Sequence, residues 1–364
     1  MVSSAIHRMQ MSKITVFADR GSSHSWTWFA DFLERIGEYD ARFLDTAGLI
    51  DSLRQRSEVV VISGGDGYAI ADCLKGQGFA RLKEFVYQGG RYVGVCAGAY
   101  LPLPSRIEPL REFNLSTTKI DNIDCSPVRR DEPPRVSVPY GSCSIVHPVR
   151  GDVEVSSSAS TVAAPLYGGP VFAEPEDDEV LLRYTGFGAD AEFQIDRVRA
   201  EAIMIGRPAA VRSVHGEGTL MLLGPHLEHP DYPEANRILS GLLGLGSSKM
   251  REPKGGKEPS PAMARVLADL KVAAMGLEGR SFLVGKKHWD ASRFLELIRA
   301  IERRASSIGQ EDAERVRTDL DAVRRILLRM KVGVESEVDE ATIMLVNTTR
   351  TCVDSHFRAM VEGR

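Results

Sequence analysis

Cys96, His226 and Glu228 are the side chains whose types and settings suit nucleophilic acyl chemistry. Cys96 lies in Gly90-Arg91-Tyr92-Val93-Gly94-Val95-Cys96-Ala97-Gly98-Ala99-Tyr100, an apolar strand-like run that ends in G-x-C-x-G. Glycines two residues to either side let the backbone turn sharply against its neighbours, which leaves the thiol presented where the following helix begins. A helix N-terminus favours the thiolate, the reactive form of cysteine. Read alone, the run also fits a buried, inert cysteine beside a tight turn.

A thiol nucleophile needs an imidazole within hydrogen-bond reach, and the imidazole needs a third group that fixes its tautomer. The stretch Gly218-Thr219-Leu220-Met221-Leu222-Leu223-Gly224-Pro225-His226-Leu227-Glu228 supplies both, as an apolar strand ending in Gly-Pro, then histidine, then a carboxylate two positions on. Asp231 is the reserve for the third group. His229 is a rival base, ranked lower because it lies farther past the strand and directly before Pro230. A His-x-Glu after a strand is by itself a solvated loop; the cysteine elbow gives it meaning. A further apolar strand runs into glycines in Ser57-Glu58-Val59-Val60-Val61-Ile62-Ser63-Gly64-Gly65-Asp66-Gly67. The amides of Gly64 and Gly65, with that of Ala97 after the nucleophile, are the expected oxyanion donors. Asp66 is placed to cap the next helix.

These parts in this order resemble the class I glutamine amidotransferase superfamily. Within it the likeness is to the amidotransferase-like domain at the N-terminus of eukaryotic biotin-protein ligases and its free-standing microbial relatives. The residues that carry it are Phe85 to Tyr100, then Pro165-Leu166-Tyr167-Gly168-Gly169-Pro170-Val171-Phe172, then Gly224 to Glu228. It spans roughly Lys13 to Leu245. The resemblance implies a flavodoxin-like fold with Cys96 as nucleophile, His226 as base and Glu228 as third member. Two positions depart from the family pattern. Tyr100 stands where working amidotransferases commonly have Gln in C-x-G-x-Gln, which bears on glutamine as substrate, and Leu227 replaces the Pro of His-Pro-Glu with the spacing kept. No synthase region accompanies these motifs, so an acceptor of ammonia is expected on another protein.

The elements that must position these residues read as α/β. Strand-like Ile14-Thr15-Val16-Phe17, a helix to about Ile36 with Trp26, Phe29, Phe32 and Leu33 on one face, a strand at Phe43-Leu44 and a helix through Leu53 alternate as in a doubly wound parallel sheet. Tyr68 to Leu74 and Phe79 to Tyr87 read as helical. From Ser105 to Asp196 short extended pieces predict antiparallel additions at Val153-Glu154-Val155, Pro170 to Ala173 and Val180 to Tyr184. Ala202 to Gly206 and Ala209 to Val214 are expected to form the last hairpin, and Tyr167 to Pro170 a turn near the pocket. The expected division is an amidotransferase-like domain over 1–245, a breaker-rich linker over 246–261 and a helical bundle over 262–364. Its four amphipathic helices fall near Ala262 to Gly276, Asp290 to Ser306, Gln310 to Met330 and Glu335 to Val361, closing a core of their own. His288-Trp289 reads as a packing anchor.

The 364 residues, 43% hydrophobic, suffice for one large or two moderate cores. No apolar run is long enough to span a bilayer, and the first residues lack a secretory core, so a soluble cytoplasmic protein is expected. Cys73, Cys96, Cys125, Cys143 and Cys352 are odd in number and scattered, which favours a reducing compartment over a disulfide framework, and none has metal-ligand spacing. Lys and Arg number 24 against 32 acidic residues up to Ser248, and 22 against 18 beyond it. That contrast suits docking of the halves and is too mixed for nucleic acid. The expected partners are a small-molecule amide and, through the C-terminal helices, a protein or a second copy; no metal or cofactor is called for. The expected activity is C–N bond cleavage through a thioester. The alternatives are a catalytically quiet ligand- or partner-binding module, suggested by Tyr100, and a cysteine peptidase or deglycase of the wider superfamily.

Overall fold

A computed structural model describes residues 13–54, 57–121, 123–124, 145–158, 160–246, 250, 258–284, 287–330 and 335–363. The N-terminal leader, Cys125, Cys143 and most of the 246–261 linker lie outside the described residues.

Short runs rich in apolar residues, β-branched in β1 and β3 above all, form the parallel centre: β1 (Ile14–Phe17), β2 (Ala41–Leu44), β3 (Val59–Ile62) and β4 (Arg91–Val95). Between them run α1 (Ser25–Ile36), α2 (Thr46–Arg54) and α3 (Gly67–Tyr87), and α4 (Ala97–Tyr100) follows β4. The two helices expected at Tyr68 to Leu74 and Phe79 to Tyr87 are both present within α3, separated by a kink at Lys75, which has a positive φ of 41°. The side chain of Asp66 caps α3, accepting from the amides of Tyr68 and Ala69. After β5 (Ile123–Asp124) and β6 (Ile145–Val146), β7 (Val149–Ser156), β8 (Thr161–Leu166), β9 (Glu179–Phe187) and β10 (Glu192–Phe193) make the antiparallel wing. α5 (Arg197–Met204) leads to the hairpin β11 (Pro208–His215) and β12 (Gly218–Leu223), and α6 (Pro233–Leu242) follows.

The ten-stranded sheet runs β10-β7-β9-β11-β12-β4-β3-β1-β2, with β8 on β7. Its parallel part, β2-β1-β3-β4-β12, is the flavodoxin-like order, with β12 as the fifth strand. Two expected strands are corrected. Ala202 to Met204 close helix α5, because Asp196 caps its start by accepting from the Arg199 amide, and Ala200, Ile203 and Met204 form its buried side. A short apolar run cannot distinguish a buried helix end from a strand. Pro170 to Ala173 make a single bridge, Phe172 to Ile120, instead of a ladder.

The C-terminal helices fall where their periodicity puts them: α7 (Pro261–Met275), α8 (Ser292–Arg304), α9 (Gln310–Arg329) and α10 (Glu335–Glu362). A hairpin of β13 (Ser281–Val284) and β14 (Lys287–Asp290) precedes α8. Their core is continuous with that of the sheet, one apolar cluster reaching from Trp26 and Phe43 to Phe357. α10 covers the edge strand β2, where Asp354 accepts from the Phe43 amide at 2.9 Å and pairs with Arg42 at 2.8 Å. A covered edge offers no free ladder to another chain.

Candidate active site

Cys96 has φ 52° and ψ −108°, a backbone conformation that non-glycine residues rarely adopt. The flanking glycines make room for that turn. A Cβ on Gly94 would stand 2.4 Å from the Gly98 carbonyl oxygen, and one on Gly98 would stand 1.9 Å from the Ile62 carbonyl oxygen. The Cys96 amide donates to the Leu223 carbonyl at 2.9 Å, and Leu223 is in register with Val95 on the neighbouring parallel strand. Adjacent β3, β4 and β12 therefore deliver Gly64, Cys96 and His226 to one carboxyl edge of the sheet, where open α/β sheets hold their ligands.

The imidazole of His226 lies between the two other expected residues. Its Nδ1 is 2.7 Å from Glu228 Oε1, and the Cys96 thiol is its other hydrogen-bond partner, so Nε2 faces the sulfur. The loop is held from behind: the His226 amide donates to Pro165 O at 2.9 Å, and the Asn236 amide group donates to Leu227 O at 2.7 Å and His229 O at 3.0 Å. Burial pulls the His226 pKa down, but the Glu228 carboxylate, the bonds to Cys96 and Glu228 and the charge of Cys96 together raise it to about 10. A chain of hydroxyls stands behind the carboxylate. Ser63 donates to Glu228 Oε1 at 3.4 Å, and Ser25 links Ser63 at 2.8 Å to Ser23 at 2.7 Å.

Gly64 touches the site by lacking a side chain, since a Cβ there would come within 2.9 Å of both His226 Cε1 and Ser25 Oγ. Its amide is already engaged, donating to Ser25 Oγ at 3.0 Å. Gly65 lies beside it on the cavity wall, bridged to Ser22. Ala97 is the first residue of α4, directly after the thiol. Tyr100 is buried and does not line the cavity; its hydroxyl donates to Gly168 O at 3.2 Å, within the turn that carries Tyr167. Asp231 and His229 both line the cavity, but Glu228, not Asp231, is the carboxylate on His226. His229 packs on Trp28 with ring centroids 4.3 Å apart, and burial lowers its pKa.

These residues open on a cavity of about 500 Å³. The sheet edge supplies Cys96, His226 and Gly64, and α1 and its approach supply His24 and Trp28. Trp289, Asp290 and the α8 residues Arg293, Glu296, Arg299 and Arg303 form the facing wall. Trp289 is thus part of the site as well as packing. Sequence reasoning missed the serines, His24 and the α8 wall; only the Ser22-Ser23-His24-Ser25 run ahead of an aromatic helix hinted at any of them. Burial, then the charges of Arg293 and His226, hold the His24 pKa down to about 3, so its ring is neutral. Among the described residues, no three His, Cys, Asp or Glu side chains are grouped to hold a metal ion.

Residues 13–108 match the family model described as biotin-protein ligase, N terminal. An uncharacterized protein of Chlamydia muridarum (strain MoPn / Nigg) is 28% identical over 237 residues, covering 61% of this chain and 82% of that protein. A solved structure described as a glutamine amidotransferase is 17% identical with a TM-score of 0.41, over 64% of this chain and 100% of its own. A β-galactosidase from Bacillus circulans sp. alkalophilus is 14% identical with a TM-score of 0.38, over 68% of this chain and 32% of its own. The matched segment, which holds β1 to β4, the glycine turn and the Cys96 elbow, is similar to the N-terminal domain of biotin-protein ligases.

Proposed function

We propose that the chain cleaves a C–N amide bond through a thioester on Cys96. The observation that carries this reading is a positive-φ cysteine hydrogen-bonded to a histidine whose other nitrogen is held at 2.7 Å by a buried carboxylate. His226 holds the thiol proton as an imidazolium, and the Cys96 thiolate beside it attacks the amide carbonyl. The tetrahedral oxyanion lies at the Ala97 amide, which follows the nucleophile at a helix start. As the C–N bond breaks, His226 returns the proton to the leaving amine. Water then attacks the thioester carbon and gives a proton to His226, the C–S bond breaks to release a carboxylic acid, and the pair of thiolate and imidazolium is restored. Glu228 fixes the tautomer and stabilises the imidazolium throughout.

Tyr100 does not oppose this reading, because it supports the Gly168 turn from behind and leaves the cavity clear. Among the described residues Cys73, Cys96 and Cys352 form no disulfide, in keeping with a reducing compartment such as the cytoplasm. Among the described residues no helix is long and apolar enough to cross a membrane.

The test is ammonia release from glutamine and a panel of primary amides, run beside peptides and glycated amines. Cys96→Ala is expected to lose at least about a thousandfold in rate. Iodoacetamide is expected to label Cys96 ahead of Cys73 and Cys352. A C96A variant with unchanged amide hydrolysis defeats the proposal.

A further inference from the structure

Arg293 is the side chain the proposed chemistry leaves unexplained. It belongs to α8, is 4% exposed, and forms part of the wall of the cavity that holds Cys96. Its Nη2 donates to Ser22 O at 2.7 Å, and its guanidinium carbon lies 4.2 Å from the centroid of the Trp289 ring. Nε and Nη1 have no hydrogen-bond partner among the described residues. Burial holds its pKa down to about 10, opposed by the charge of Asp339, with which it shares a small neighbouring pocket, so the group is a cation at neutral pH.

The other charges around the cavity are accounted for. Arg303 is paired with Asp31 at 2.7 Å, and Arg299 with Glu296. Asp290 accepts from the amide and hydroxyl of Ser292. Arg150 is exposed at the rim, as is Asp231, and the neutral ring of His24 adds no charge. A buried guanidinium with unmet donors is costly unless an anion completes it, and stacking on an indole offsets only part of that cost.

We propose that the substrate is an amide that also carries a carboxylate, and that Arg293 seats this carboxylate while the amide carbon lies at Cys96. The proposal rests on the thioester reading for its amide end only; the anion site stands on Arg293 itself. It gives the C-terminal helices a direct part in substrate selection. An amide without the second group leaves the guanidinium unmet, so the site discriminates against it.

Calorimetric titration of the full chain tests this, with Cys96→Ala as background so that nothing turns over. The probes are succinamate, glutaramate and adipamate, each beside its neutral diamide, and inorganic phosphate. At least one monoamide acid is expected to bind on the order of ten- to a hundredfold more tightly than its diamide. Arg293→Met is expected to abolish that preference, while Arg293→Lys, which keeps the charge and guards against a mere folding defect, retains part of it. No preference in any of the three pairs, a preference that survives R293M, or phosphate binding more tightly than every carboxylate overturns the proposal. The thioester reading is judged separately, by turnover and by alkylation of Cys96 in the otherwise unaltered chain.

Discussion

Glu228 sets the electrical state of the site although it never meets the cavity. It is fully buried, with Oε1 on His226 and Oε2 without a hydrogen-bond partner among the described residues. Its charge is repaid chiefly by an imidazolium, which is why the His226 pKa ends near 10 despite burial. A histidine whose folded pKa is raised contributes stability in full below its ordinary value of about 6.5. That contribution is lost as pH rises through about 10. Stability is therefore expected to fall between pH 7 and 10, and Glu228→Gln to flatten the fall. Urea unfolding across that range checks it; identical slopes for the two proteins contradict it. The same variant is expected to slow alkylation of Cys96 below pH 8, because a weaker imidazolium leaves less thiolate.

At the scale of elements, the elbow works because three backbone segments approach more closely than side chains permit. Gly98 is the tightest point, pressed on Ile62 O at the end of β3 while its amide donates to Ser63 O at 3.2 Å. Gly98→Ala must push α4 from β3, and with it the thiol from the imidazole. We expect a loss of about 2–4 kcal/mol in stability and at least about a hundredfold in the Cys96 alkylation rate, on the scale of overpacking and misplacement by an ångström. Chemical denaturation and labelling kinetics read the two effects. A G98A protein with native stability and native labelling would show that the close approach is not needed. The local pattern G-x-C-x-G announced this geometry, whereas the hairpin expected at Ala202 to Gly206 failed because five apolar residues carry no period long enough to separate strand from helix.

For the whole molecule the decisive contact is between α1 and the C-terminal helices. Asp31 is buried and Glu34 partly buried beneath Arg304, which is 1% exposed and bonds them at 2.6 and 2.7 Å, and His356 reaches Glu34 at 3.0 Å. The excess of acid before Ser248 and of base after it thus becomes a specific interface. We propose that the boundary at residues 246–261 divides the chain into the two expected units without dividing the core. Calorimetry is expected to show one unfolding transition, which Arg304→Met destabilises by about 3 kcal/mol by removing the buried one of the two guanidinium partners of Asp31. Two transitions, with neither moved by R304M, would mean independent bodies.

The parallel strands, all four C-terminal helices and the Cys96, His226 and Glu228 set were legible in the sequence, because each rests on local pattern: apolar runs, helical periodicity, glycines at fixed offsets and a carboxylate two residues from its histidine. What faces them was not. The hydroxyl chain from Ser23 to Glu228, the engagement of the Gly64 amide by Ser25 and the anchoring of Gly168 by Tyr100 join residues with no sequence relation to one another. Arg293 meets Ser22 across 271 positions. Local propensity decides which elements form, but the wall of a cavity is set by which faces pack, and α8 lies over Cys96 only because its apolar side shares one core with the sheet.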